Sequence, residues 1–349
     1  MSRLLELKKK VTEVKVISSP DTEEDLSKCI CTHSGTFHCD EALACGLLRM
    51  LPEYEHSTIV RTRKEELIEK CAIVVDVGGV YASESNRFDH HQRSFDTVLA
   101  GFPTKLSSAG LVYKHFGKRI ILRLVPPEEE EKEELSEKQA NIVFEKVYKD
   151  FIQSIDAIDN GVAQFPEEPA YRIKTDLSSR VARLNSNWRE PLSDDEVNER
   201  FKLAMEMALQ DFLAIVDGVM NVWLPARTIV ETSIQGCKEG AQILRLTTPC
   251  PWKAHLFDIE KELDCSGRFK YVVFESSDGS FRCYAVPIAP SSFTSRKALP
   301  EAWRGVRGAE LIKLTGIEDC IFVHATGFLG GTSSEAAALA MAERAMQDF

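Results

Sequence analysis

Residues 71–77 read Cys-Ala-Ile-Val-Val-Asp-Val, a run too short for a helix and apolar on both faces of an extended chain. Such a strand is stable only where helices cover both sides of its sheet, which is the setting of a parallel sheet. Strand patterns at 28–32 and 58–61 alternate with helical patterns at 40–51, 64–70 and 107–116. The first half therefore predicts an α/β fold with a mostly parallel sheet flanked by helices. A long helix over 136–155 follows. Another starts after Ser193, with an acidic first turn, a Met and Phe stripe that reads as core, and Gly218 near its end. The last third changes rhythm: strands at 243–246, 271–275, 282–286 and 321–324, a hairpin around Ser276–Ser280, and helices at 307–313 and 333–347. A chain of 349 residues usually splits its core. The expected organisation is an N-terminal extension over 1–27, a catalytic domain over 28–220, a linker over 221–236 and a smaller mixed α/β substrate-binding domain over 237–349.

The formal charge is −11, from 54 acidic and 43 basic side chains. The segment 126–138 alone holds seven Glu and two Lys, so nearly half of that charge sits in one solvated run. The acidic total thus excludes a broad electrostatic coat of bound polymer, but not a local grip on one strand end. No apolar run approaches the roughly 20 residues of a membrane span. None of the ten cysteines forms a C-x2-C pair, so structural zinc is excluded; buried thiols in a reducing, intracellular compartment are expected. Cytoplasm, nucleus and mitochondrion stay open.

Four of the eight histidines fall in two short motifs. The first is His33-Ser-Gly-Thr-Phe-His38-Cys-Asp40-Glu41, directly after a strand; the second is Asp89-His90-His91-Gln92, beyond the strand that carries Asp76. Open α/β sheets place their sites at the C-terminal ends of strands. Imidazole with carboxylate is the ligand set of manganese, iron or zinc, whereas magnesium prefers oxygen alone. Two adjacent metal ions need a bridging carboxylate and several terminal ligands. His33, His38, Asp40, Asp76, His90 and a later Asp supply such a set. Cys39 lies inside the first motif and reads as filler. The Walker, H-E-x-x-H, G-x-S-x-G and dinucleotide fingerprints are absent.

This order of motifs resembles the DHH phosphoesterase superfamily, which includes RecJ-like exonucleases and family II inorganic pyrophosphatases. HSGTFHCDEALA, VVDVGG, FDHHQRSF, LSSAGLVY, AIDNG and HATGFLGG look more closely like the melanocyte-proliferating-gene (MYG) family, from about Cys31 to the C-terminus. The first motif departs from the superfamily's His-x3-Asp-x-Asp: it is one residue longer, with His38 replacing the first Asp, as in the narrower family. The resemblance implies a metal-dependent 3′–5′ exonuclease on single-stranded RNA with two divalent ions, manganese foremost and magnesium as the alternative. It implies that His33, His38 and Asp40 are ligands, Asp76 the bridging carboxylate and His90 a further ligand. His91 then faces the scissile phosphate, and Asp89 orients the neighbouring imidazole. The last ligand falls within 153–161: Asp159, beside an Asn-Gly turn, with Asp156 as the alternative.

Phosphate is expected at Ser107 and Ser108, which open a helix. It is also expected at the His324…Gly330-Gly331 segment, read as strand, glycine turn and helix start with a Thr332…Glu335 capping box. This last segment also resembles the Gly- and His-containing motif of the superfamily's second domain. Arg296, Lys297, Arg304 and Arg307, with Trp303 among them, are candidates for the nucleotide backbone, as are Arg61 and Arg63. The competing functions are a phosphohydrolase of a small phosphoanhydride or short oligonucleotide, and a non-catalytic RNA-binding regulator.

Overall fold

The computed structural model describes residues 9–18, 20, 24–124 and 135–347. Most of the Glu-rich run at 126–138 lies outside these residues. The chain forms two compact units that divide between Val219 and Met220.

The first unit is built on a six-stranded sheet: β1 (Val16–Ile17), β2 (Ile30–Thr32), β3 (Ile59–Arg61), β4 (Ile73–Val75), β5 (Tyr81–Ala82) and β6 (Arg87–Phe88), in the order β1-β3-β2-β4-β6-β5. Every pairing is parallel except β5 with β6. Ile73, Val74 and Val75 are fully buried, as a central strand covered on both faces must be. The N-terminal extension is part of this sheet, because Val16 and Ile17 pair with Ile59 and Val60 at its edge. The helices of the unit are α1 (Cys39–Arg49), α2 (Glu65–Ile68), α3 (Ser108–Leu124), α4 (Glu137–Val147), α5 (Gln153–Asp159), α6 (Leu177–Ala182) and α7 (Asp194–Gly218). The wholly buried α1 packs against both α3 and α7. The helix expected over 136–155 begins at a Ser136/Gln139 capping box but is interrupted by a π-turn at Tyr148–Ile152. The extra residue rephases the helix just before α5, its last segment, which carries both Asp156 and Asp159.

The second unit holds α8 (Leu224–Gln235), β7 (Ile243–Arg245), α9 (Trp252–Glu262), β8 (Tyr271–Glu275), β9 (Phe281–Ala285), α10 (Gly308–Thr315), β10 (Cys320–Val323), β11 (Leu329–Thr332) and α11 (Glu335–Gln347). Its sheet runs β10-β11-β9-β8-β7, with β7 and β8 parallel and the rest antiparallel. Alternation along the strands feeds two cores. Tyr271, Val273, Cys283 and Ala285 cluster with Ala338, Met341 and Ala342 of α11, while Leu244 and Val272 cluster with Val230, Ile234, Trp252 and Leu256 of α8 and α9. Residues 221–236, expected as a linker, are therefore folded into the second unit. Among the described residues no helix is long and apolar enough to cross a membrane.

Gly330 and Gly331, expected in a phosphate-holding turn, lie instead inside β11, paired with Cys283 and Arg282. A Cβ on Gly331 would sit 2.3 Å from Phe322 Cε1, and one on Gly330 would sit 2.3 Å from Met341 Sδ. These glycines exist to let β11 lie under Phe322 and Met341. Gly331→Ala is expected to cost about 1–3 kcal/mol through overpacking, read as a lowered midpoint in urea with an unchanged m-value.

Candidate metal centre

Strands β2, β4 and β6 are adjacent and parallel, so their C-terminal ends open onto the same edge of the sheet. His33 follows β2, Asp76 follows β4, and Asp89, His90 and His91 follow β6. Asp76 has a positive φ of 57°, a conformation that a residue other than glycine holds only when its surroundings impose it. The N-terminus of α1 brings His38, Asp40 and Glu41, and the last residue of α5 is Asp159.

Asp76 is the hub of the cluster. His33 Nε2 lies 3.3 Å from Asp76 Oδ2 and 3.0 Å from Glu41 Oε1. His90 Nε2 lies 3.3 Å from Asp76 Oδ1 and 3.1 Å from Asp159 Oδ2. His91 Nδ1 is 2.7 Å from Asp89 Oδ1, and Asp89 in turn accepts the Gly79 amide at 2.6 Å. Three overlapping groups each offer donor atoms within 4.8 Å of one another: His33, His38, Glu41 and Asp76; Asp76, His90 and His91; His38, Asp40 and Asp159. Asp76 belongs to two of these groups and His38 to two.

The electrostatics suit a cation. Burial alone would push the His33 imidazole down, but the hydrogen bonds to Asp76 and Glu41 outweigh it and carry it up to about 10. His90 likewise rises to about 10 against its own burial, through Asp159 and Asp76. Asp76 resists burial because His33 and His90 hold it well below the usual carboxylate range. Asp40 is pushed well above that range by burial and by the nearby Asp76, Asp159 and Glu41 charges. Two buried carboxylate oxygens of the cluster, Asp40 Oδ1 and Glu41 Oε2, have no hydrogen-bond partner. Buried polar atoms are nearly always paired, so unpaired carboxylate oxygens within this donor set fit a divalent ion.

The cluster lines an open cleft of about 900 Å³ whose other walls include Arg63, Gly78, Gly79, Lys105, Asn160 and Ser178. His91 reaches into it with a 61 % exposed side chain. Cys39 also lines it, but burial pushes its thiol up to about 12, which is unsuited to a nucleophile.

A family model described as an uncharacterised protein family (UPF0160), labelled MYG1 exonuclease, matches residues 29–346. The chain belongs to the MYG1 family. It is 45 % identical over 322 residues to the bovine protein named MYG1 exonuclease, covering 89 % of this chain and 82 % of that one. The human MYG1 exonuclease is 44 % identical over the same length, covering 89 % of this chain and 84 % of that protein. A Dictyostelium discoideum MYG1 protein is 45 % identical over 319 residues, covering 90 % of this chain and 94 % of that protein. No solved structure matches the chain.

In this MYG1-family chain the structure brings together His33, His38, Asp40, Asp76, Asp89, His90, His91 and Asp159. Asp156, the alternative to Asp159, is fully buried and accepts the Ser107 amide, the Ser107 hydroxyl and the Tyr148 hydroxyl. Glu41 was quoted in the first motif without a role, yet its Oε1 meets His33 and also accepts the His38 amide at 2.8 Å. Its position three residues after the His38 N-cap disguises it as an ordinary capping glutamate.

Ser107 and Ser108 do not present a phosphate site. Both are fully buried; Ser107 is spent on Asp156, while the Ser108 amide and hydroxyl reach Asp40 Oδ2 at 3.3 Å and Asp76 Oδ1 at 3.1 Å. They brace the carboxylates from behind. Arg61 is likewise structural: it is buried, donates to the Gly35 carbonyl at 2.7 Å and lies over the Phe37 and Phe201 rings.

The basic candidates of the second unit are mostly engaged within it. Arg296 makes a bidentate pair with the buried Glu260, Arg304 donates to the Leu299 carbonyl, and Lys297 donates to the Met346 carbonyl. Arg307 lies over the Phe322 ring, and Trp303 is core. His324 is exposed and shares its Nδ1 with Thr326. The Thr332…Glu335 capping box does not form, because Ser334 caps the helix and Glu335 pairs with Arg245.

Proposed function

We propose that this protein is a metal-dependent phosphodiesterase that removes nucleotides from the 3′ end of single-stranded RNA, using two divalent ions, foremost Mn²⁺. The observation that carries this reading is the pair of donor groups sharing Asp76 at an open cleft, with one carboxylate oxygen each of Asp40 and Glu41 buried and unpaired. The relatives named exonucleases supply the reaction class.

His33, His38, Glu41 and Asp76 would hold one ion, and Asp76 and His90 the other, with Asp159 3.1 Å from His90 and Asp40 grouped with His38 and Asp159. Bound ions of this kind lower the pKa of a water and neutralise charge that develops at phosphorus. The chain's own groups do the rest. Ser108 fixes the Asp76 carboxylate, and the strained Asp76 backbone sets its direction. Asp89 accepts the His91 Nδ1–H, so the neutral imidazole presents Nε2 to the cleft as an acceptor, and the imidazolium, which Asp89 favours, presents Nε2–H as a donor to a phosphate oxygen or a leaving group. Arg63 and Lys105 offer positive charge on the cleft wall.

Metal analysis of the purified protein, with digestion of end-labelled RNA in Mn²⁺, tests the reading. At least one bound divalent ion and stepwise mononucleotide release from the 3′ end are expected. Faster phosphate release from pyrophosphate than nucleotide release from RNA would overturn it, as would digestion unaffected by a chelator.

A further inference from the structure

Trp188 is 87 % exposed, a rare state for a side chain that normally seeks burial. It is held by a built turn. Asn187 and Glu190 form an antiparallel bridge, and Asn187 Oδ1 accepts the Arg189 and Glu190 amides at 2.9 and 3.2 Å. The Arg189 guanidinium lies 4.8 Å from the centre of the Trp188 ring. One ring face is thus covered by a cation while the rest stands in solvent.

The turn is tied to the metal centre. Asn185, three residues earlier, clamps the Phe37 backbone from both sides: its Oδ1 accepts the Phe37 amide at 2.9 Å and its Nδ2 donates to the Phe37 carbonyl at 2.8 Å. Phe37 directly precedes His38. The helix leading to this turn places Ser178, Ser179 and Ala182 on the cleft wall. Trp188 therefore lies at most about 10 Å along the chain from this clamp on the residue before His38. Residues 171–189 carry five basic side chains and one acidic; two of the basic ones, Arg172 and Arg180, pair with Glu168 and Asp211.

We infer that Trp188, backed by Arg189, is a stacking platform for a base of the single strand held beside the metal cleft. An aromatic face with an adjacent arginine accepts any base, and surrounding positive charge follows the backbone. The inference rests on the proposed nuclease function and adds how the strand is gripped. It also gives a reason for single strands, because a base inside a duplex has both faces stacked on its neighbours.

The test uses the full chain with Mn²⁺ and a 12-nucleotide RNA whose terminal linkages at both ends are methylphosphonates, so that it is not digested. Its comparator is an abasic strand of equal length. Binding is read by polarisation of a labelled strand and by quenching of tryptophan emission. Trp188→Ala is expected to weaken RNA binding about 10-fold and to leave abasic binding unchanged. Trp188→Phe should recover all but about 2-fold, and the RNA-induced quench should vanish in both variants. Equal RNA affinity in wild type and Trp188→Ala would overturn the inference and leave the tryptophan to a protein partner. An equal loss on RNA and abasic strands would also overturn it, by showing a structural role at the Phe37 clamp. Binding is measured without turnover, so a failure of hydrolysis counts against the proposed function and not against the platform.

Discussion

Asp76→Asn is expected to lower RNA hydrolysis by on the order of 10³-fold, a loss of about 4 kcal/mol of transition-state stabilisation, and to strip metal from the purified protein while the fold survives. Asp76 is the one carboxylate that meets His33, His90 and Ser108 together and belongs to two donor groups. An amide keeps the shape and removes the charge that a bridging ligand needs. Asparagine is also the right replacement for the backbone, because it tolerates the left-handed conformation that Asp76 adopts at φ 57°. Asp76→Ala adds a cost of about 1–2 kcal/mol for that conformation, so it confounds catalysis with stability. Circular dichroism and a urea midpoint separate the two. An Asp76→Asn protein that keeps its metal and its hydrolysis would remove the shared carboxylate from the mechanism.

The chemistry of this site was legible in the sequence where it sat at the ends of strands that advertise themselves. Ile73–Val75 is fully buried and β-branched, so its position and the Asp that follows can be read without coordinates. The same holds for His33 after β2 and for the Asp89–His91 triplet after β6. Groups whose role depends on distant partners were not legible. Arg296 looks like a free phosphate ligand until Glu260, 36 residues away in sequence, is found beneath it. Ser107 and Ser108 look like an open helix N-terminus until Asp156, Asp40 and Asp76 are seen to occupy their donors. Gly330 and Gly331 look like a turn that lets a ligand approach the backbone; only the Phe322 and Met341 side chains show why a strand needs them there. Glu41 was hidden by doing two jobs, capping α1 and facing His33. The helix Trp252–Glu262 was missed although Trp252, Leu256 and Ile259 carry its helical spacing; the Pro-Cys-Pro run before it masked the start.

Metal binding at pH 7 is expected to release about two protons, so apparent affinity should rise about 100-fold per pH unit between pH 6 and 8. His33 and His90 are both carried up to about 10, from an ordinary value of 6.5, by the carboxylates they face. Without metal, each holds its proton at neutral pH as an internal cation for Asp76, Glu41 and Asp159. That contribution to stability is complete below pH 6.5 and is lost as pH rises through about 10. A divalent ion needs the neutral imidazole, so it must expel both protons. The two forms then respond to pH in opposite directions: alkali weakens the metal-free protein while it tightens the metal. Titration calorimetry in two buffers of different ionisation enthalpy counts the protons directly. His90→Asn, which keeps the polar shape but carries no titrating ring, should bind metal more weakly and reduce the count by one. Binding with no net proton release in wild type would mean that the ion does not displace these imidazolium protons and sits elsewhere in the cleft.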